Sequence, residues 1–425
     1  MPRLPTTPLR LLALALLTGS GTTLADDSPT AEAVVQTYAD IAAAAYADSL
    51  STAETLGQAV DRLIASPGEA ALQEARDAWR AARVPYQQTE VYRFGNPLVD
   101  DWEGKVNAWP LDEGLIDYVD ASYGQESEDN GLYTANLVAN TSLSIDGQTI
   151  DASVITPALL GSTLHEAGGI ESNVATGYHA IEFLLWGQDL NGSGPGAGTR
   201  PWSDYAQGEE CTNEHCDRRA EYLRAATDLL ITDLQEMAVA WADGGAARES
   251  IVSDGSALAR ILTGMGSLSY GELAGERMQL GLMLHDPEEE HDCFADNTAA
   301  SHYHDGVGIR NVFEGRYERV DGSVVEGASL RALLAATDPA LADELAGDID
   351  RAVIELRDML DAQMNGQAYD QLIAEGNEAG NAMVQEAIDA LIVQTRGIER
   401  AVAALDVSID IEGSDSLDDP SAVFQ

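Results

Sequence analysis

An all-α protein built as two helical-bundle domains is what this 425-residue sequence predicts. Three observations carry that expectation. Long alanine-rich stretches repeat apolar residues at helical spacing, and period-two alternation is scarce. One order of segments also occurs twice, long helix, long helix, loop, short glycine-led segment, which suggests a degenerate duplication. A hydrophobic content of 45% over this length suffices for a sizeable core.

Residues 1–25 read as a secretory signal peptide: Arg3 and Arg10 precede the apolar run Leu11 to Leu17, and Thr23-Leu24-Ala25 offers small residues for cleavage. The first bundle domain is expected over 26–200. Its helices are predicted at 30–65 and 69–94, separated by the break Ser66-Pro67-Gly68. Residues 95–165 read as an elaborated irregular connection with aromatic anchors Trp102, Trp109 and Tyr118, and "SLSIDGQTI" at 142–150 is the one hairpin candidate. "NGSGPGAGTRPW" marks the boundary to a second domain, 201–410. There, long helices are predicted at 212–242 and 250–284, then an irregular acidic loop, the short segment "GIRNVFEGRY", and helices at 338–363 and 377–405. An acidic tail, 411–425, completes the chain.

Acidic residues number 72 against 23 basic, for a net charge of −49, and Lys105 is the only lysine. Such a surface repels nucleic acid and anionic lipid, so neither is an expected partner. The excess is spread along the whole chain, which favours adaptation to high salt over a dedicated metal-gathering surface. No later stretch has the roughly 20 apolar residues of a membrane span, so a periplasmic or otherwise extracytoplasmic protein is expected. Of three cysteines, Cys211 and Cys216 in "CTNEHC" could close a short loop and leave Cys293 over; a metal role for that loop with His215 is the alternative.

Chemistry concentrates in "GYHAIEFLLWG". In a helix His179 and Glu182 lie on one face, about 5–6 Å apart between Cβ atoms, and together could grip a transition metal. They could equally hydrogen-bond each other in a buried segment. A second His-x-x-Glu, His285 and Glu288, encloses Pro287 and reads as loop. Upstream, Trp79, Arg83, Tyr86, Glu90 and Arg93 recur every three or four residues and form one stripe, which points to a polar interior cleft, with an exposed stripe of salt bridges as the alternative. Pro85 is expected to kink that helix. In the second half Glu272, Glu276 and Arg277 could line the same cleft or form solvated surface. His291, His302 and His304, near Cys293, are read as part of the irregular acidic loop, with a second metal site conceivable there. Phosphate-loop, CxxC and serine-hydrolase signatures are absent, and a zinc-protease His-Glu-x-x-His is incomplete.

Gly177-x-His179-x-x-Glu182 followed by "FLLWGQD" resembles the signature of the imelysin family, and the chain resembles its iron-regulated protein A branch. Supporting stretches are "AWRAARVPYQQTEVYRFG", "WPLDEGLIDYVD", "GELAGERM" and "DCFADNT...GIRNVFEGRY", spread over most of 30–405. The resemblance implies a two-domain helical protein of the bacterial envelope, with a role in acquiring iron or another divalent metal. It implies a centre at His179 and Glu182 that Glu90 faces, and Glu90 is expected to serve there as a further carboxylate ligand. Gly177, Trp79, Arg83, Tyr86, Arg93, Trp186, Glu276 and Arg277 would line the cleft. "GIRNVFEGRY" departs from the signature, with Ile309 and Arg310 near where a duplicated histidine would fall. The expected function is binding of iron or an iron-containing ligand, with an envelope transport component as a further partner. Some family members are classified as metallopeptidases, so hydrolysis at the His179/Glu182 metal is the alternative, and a non-catalytic envelope scaffold the third reading.

Overall fold

A computed structural model describes residues 29–127, 129–145 and 147–424, so the signal-peptide expectation for 1–25 lies outside the described residues. The chain is predominantly helical, with two short two-stranded sheets among the described residues. Helix α1 (Ala31–Ala65) begins where Thr30 Oγ1 accepts from the Ala33 N–H at 3.2 Å, satisfying one free amide of the first turn. After the Ser66-Pro67-Gly68 break α2 (Glu69–Gln87) packs along α1, and so short a link makes them antiparallel neighbours. Three helices follow in this half and across its end: α3 (Pro97–Asn107), α4 (Gly177–Trp186) and α5 (Cys216–Trp241), the last lying on both α1 and α4.

The connection between α3 and α4 is irregular as expected, with a hairpin pairing Ser142 to Asp151 and Ile145 to Gln148. Arg218 on α5 holds it down by donating to the carbonyls of Leu137 and Val138 at 2.8 Å and of Ala152 at 2.8 Å. One guanidinium thus satisfies carbonyls that no helix or sheet could reach.

Several expected elements are corrected. The stripe helix stops at Gln87 instead of 94; Gln88-Thr89 turns the chain and Glu90–Tyr92 forms a single 3₁₀ turn. The predicted helix 250–284 is broken at 253–256, where Asp254 Oδ1 accepts from the Ser256 N–H at 2.8 Å and makes an Asx turn. It resumes as α6 (Ala257–Ser267) and then widens into a π-helix over Leu268–Gln279. The widening follows the docking of the C-terminal segment. A Cβ on Gly271 would fall 2.6 Å from Glu412 O, and Ser416 Oγ donates to Gly275 O at 2.9 Å. "SHYHD", expected in an irregular loop, belongs to α7 (Thr298–Glu314), whose Ile309, Val312 and Phe313 are buried at helical spacing. "GIRNVFEGRY" is the end of α7 plus the first strand of a second hairpin, Arg316–Glu318 with Val324–Glu326, too short to leave a periodic signal. α8 (Pro339–Met364) and α9 (Glu378–Ala404) agree with expectation to within a residue.

The larger hydrophobic core runs from Val34 to Ala401, and a smaller one gathers α8, α9 and the π-helix. α2 touches α4 and also α7, so a side chain on α2 can reach across to both.

Gly177 fixes where α4 begins. Its φ is +79°, and a Cβ would lie 2.5 Å from the Val106 carbonyl oxygen, a backbone atom that cannot rotate away. Left-handed backbone and forced overlap add, so Gly177→Ala is expected to lower unfolding free energy by about 3 kcal/mol, read by chemical denaturation. A change below about 0.5 kcal/mol would mean the close approach is not a constraint.

Candidate metal centre

His179 lies on the first turn of α4 and, like Glu182, is fully buried. Its Nδ1 is 3.0 Å from Glu182 Oε2 and 3.8 Å from Asp292 Oδ1. The helical spacing thus does pair the two residues, and Glu182 Oε1 accepts from the Ala295 N–H at 2.9 Å. Trp109 packs edge-on against His179 with ring centres 5.2 Å apart, and the His291 ring is 4.7 Å away. Asp292 accepts from Arg83 at 2.7 Å, from Asn297 at 2.9 Å and from the Ser301 hydroxyl. Arg83 also donates to Asn107 Oδ1 at 2.6 Å, bridging α2, α3 and the loop before α7.

Two buried nitrogens, His179 Nε2 and His291 Nδ1, have no hydrogen-bond partner among the described residues. Unpaired polar atoms at such depth are rare in folded proteins and are satisfied by an ordered water or a bound ion. The ligand atoms of His179, His291 and Asp292 lie within 4.8 Å of one another. Two imidazoles and one carboxylate is a donor set that ferrous iron and neighbouring first-row ions accept.

The electrostatics leave the donors in their ligating forms. Burial, then the charge of Arg83, pushes His179 down to about 3, and burial with Arg277 pushes His291 well below its ordinary value. Both imidazoles are therefore neutral at pH 7. Burial alone would raise Asp292, but the charge of Arg83 and the hydrogen bonds from Ser301 and Asn297 hold it below the usual carboxylate value. Burial lifts Glu182 well above its ordinary value, so His179 and Glu182 form a neutral hydrogen-bonded pair, with no ion pair between them. When Glu182 gives up its proton it can accept from Nδ1–H, which fixes the tautomer that offers Nε2 to a metal.

The other expected cleft residues divide into groups. Trp79 donates from Nε1 to Tyr178 O at 3.0 Å and packs edge-on to Trp186, so both tryptophans form a buried floor behind the centre. Tyr86 lies under Arg83 against Tyr178. Glu90 belongs to a different cluster: Arg277 donates to it at 2.9 Å, to Glu272 at 2.8 Å and to Asp305 at 3.1 Å. In a π-helix residues five apart overlie each other, which is why Glu272 meets Arg277. Arg93 reaches Asp100 at 2.9 Å and Glu272 at 3.6 Å. Burial and the charge of Glu90 push Glu103 beside them up to about 7.

A cavity of about 590 Å³ lies against these groups, and His291 forms part of its wall. Glu103, Glu166, Glu171, Glu272, Glu276, Glu288 and Glu289 line it, opposed by Arg93 and Arg277. His302, on α7, is fully buried beside Tyr369, with ring centres 5.1 Å apart, and His304 lies by another cavity, toward Arg80 and Gln363. Cys211 and Cys216 are joined in a disulfide with Cα atoms 6.0 Å apart, and Cys293 is free and buried. The sequence reading missed His291 and Asp292 as partners of His179. Their one signal was that "HDCFADNT" joins a histidine and a carboxylate inside a stretch already resembling the family.

Fold and donor set define the class: an all-α protein with a buried His/Asp group that could hold a metal ion. A family model, imelysin (peptidase family M75), matches residues 42–398, and the chain belongs to the imelysin family. Iron-regulated protein A of Synechococcus elongatus is 31% identical over 99 residues, 23% of this chain and 26% of that protein. The match thus spans about a quarter of the relative's length. A crystal structure of a candidate iron-regulated protein A precursor from Parabacteroides distasonis shares the fold, with a TM-score of 0.61 and 20% identity over 89% of this chain and 96% of that one. No helix among the described residues is long and apolar enough to cross a membrane.

Proposed function

We propose that this chain is an extracytoplasmic iron-binding protein whose ion is held by His179, His291 and Asp292. The observation that carries the reading is the pair of buried, neutral imidazoles with unpaired nitrogens facing an ionised carboxylate. Glu182 orients His179, a carboxylate behind a ligating histidine. The glutamate-lined cavity draws cations toward His291 and so supplies a route to the centre. A bound ion would add positive charge beside the Asp292 carboxylate and near the glutamates that line the neighbouring cavity. The names of the two relatives point to iron; the donor set suits it.

Hydrolysis remains the second reading because the family carries a peptidase designation. It needs a base beside a metal-held water. Glu90 is bound to Arg277 and Glu276 is exposed on the cavity wall, which leaves Glu182 as the carboxylate hydrogen-bonded to His179.

Anaerobic titration of metal-stripped protein with Fe(II), in high salt to suppress loose binding by the acidic surface, tests the proposal. One saturable site is expected, lost in His179→Ala and in His291→Ala and retained in Glu276→Gln. Equal weak binding by all four proteins would refute it. Cleavage of an unstructured substrate that disappears in His179→Ala would favour the hydrolytic reading.

A further inference from the structure

The loop that brings His291 and Asp292 to the centre also presents Glu290 and Asp296, away from it, to Asp370 on the short helix Tyr369–Ile373. Ligand oxygens of Glu290, Asp296 and Asp370 lie within 4.8 Å of one another. Glu290 and Asp370 are each 1% exposed. Glu290 Oε1 accepts from the Asp370 N–H at 2.9 Å. Beyond that bond, Glu290 Oε2, Asp296 Oδ1 and both carboxylate oxygens of Asp370 make no hydrogen bond of good geometry, and Thr298 beside Glu290 and Gln371 beside Asp370 give only weaker polar contacts that favour the ionised forms. Asp189 adds another negative charge nearby, while Arg80, which donates to Ala295 O at 2.9 Å, offsets part of the charge at Asp296.

Two buried carboxyl groups and a half-buried third, with so many unpaired oxygens, require neutralisation by protons or by a cation. We propose that Glu290, Asp296 and Asp370 form a second cation site, for a hard divalent ion of calcium's size, that fastens the 290–296 loop to the segment at 369–370. The donors are all oxygen, which suits calcium or magnesium and contrasts with the imidazole-bearing centre next to it. Calcium–oxygen distances of about 2.3–2.6 Å allow ligand oxygens up to about 5 Å apart, whereas magnesium at about 2.0–2.1 Å draws them within about 4 Å. A spacing bounded at 4.8 Å admits either ion, and what favours calcium is its tolerance of irregular oxygen cages, where magnesium demands near-ideal octahedral geometry and keeps most of its waters. Its bound state would pin the loop carrying His291 and Asp292, so calcium would preorganise the neighbouring centre without entering it.

Calcium titration calorimetry of the full mature chain in molar sodium chloride at pH 8, with thermal unfolding alongside, tests this site. One saturable calcium site is expected, absent in Asp370→Asn and weakened at least tenfold in Asp296→Asn, the half-buried member that serves if the first variant does not fold. Calcium should raise the unfolding midpoint of the unsubstituted protein and not of Asp370→Asn. His291→Ala should bind calcium as the parent does, separating this site from the iron centre. No saturable calcium binding by the parent would mean that protons neutralise the cluster, and the proposal falls. It falls equally if both aspartate variants bind like the parent, or if only His291→Ala loses the ion.

Discussion

Arg83→Met is expected to lower unfolding free energy by about 3–5 kcal/mol, the cost of leaving a buried carboxylate without its cation. Arg83 is 1% exposed and Asp292 fully buried, so water cannot replace the lost guanidinium. The same change removes the bond to Asn107 and the cation lying 5.0 Å over the Tyr178 ring. Two controls isolate the charge. Arg83→Met/Asp292→Asn should recover much of the loss, because a neutral pair needs no compensation. Excess divalent metal should also restore stability to the single variant, since an ion beside Asp292 takes over the guanidinium's role. Denaturant unfolding in high salt reads all three. A single-variant loss under about 1 kcal/mol would mean that Asp292 is not ionised in the folded protein.

At pH 5, uptake of one Zn(II) or Fe(II) is expected to release at most one proton. Two histidines of ordinary pKa, about 6.5, would be almost wholly protonated at that pH and would release about two. Here burial holds His179 near 3 and His291 well below its ordinary value, so neither carries a proton to lose. The remaining proton is Glu182's, whose burial raises its carboxyl. Lowering the pH should therefore weaken binding by no more than about tenfold per pH unit, where two ordinary imidazoles would give about a hundredfold. The imidazole contribution appears only as the pH falls toward 3. Calorimetry in buffers of different ionisation enthalpy counts the protons. Release of two or more at pH 5 would show that the histidines titrate normally.

Local patterns made much of the helical framework legible. α1, α8 and α9 carry long apolar spacings bounded by Thr30, Pro67, Asp338 and Asn377, and those signals need no tertiary context. The π-helix was illegible because Gly271 and Gly275 acquire their meaning only when residues 412–416 dock on them from far along the chain. Helical spacing carried past Gln87 made Glu90 look like a neighbour of Tyr86 on the site-facing stripe. The turn at Gln88-Thr89 instead delivers it to Arg277. His179 and Glu182 were readable as a pair because three residues in a helix place them together. His291 and Asp292 were not, since an irregular loop has no periodicity from which to read where its side chains point.

Anomalous diffraction at the iron edge, from crystals of the unsubstituted protein loaded anaerobically with Fe(II) and washed in high salt, measures the central claim directly. A single strong peak within bonding distance of His179, His291 and Asp292, absent from His291→Ala crystals, is the expected result. Peaks confined to surface carboxylates, with none between these three residues, would contradict it.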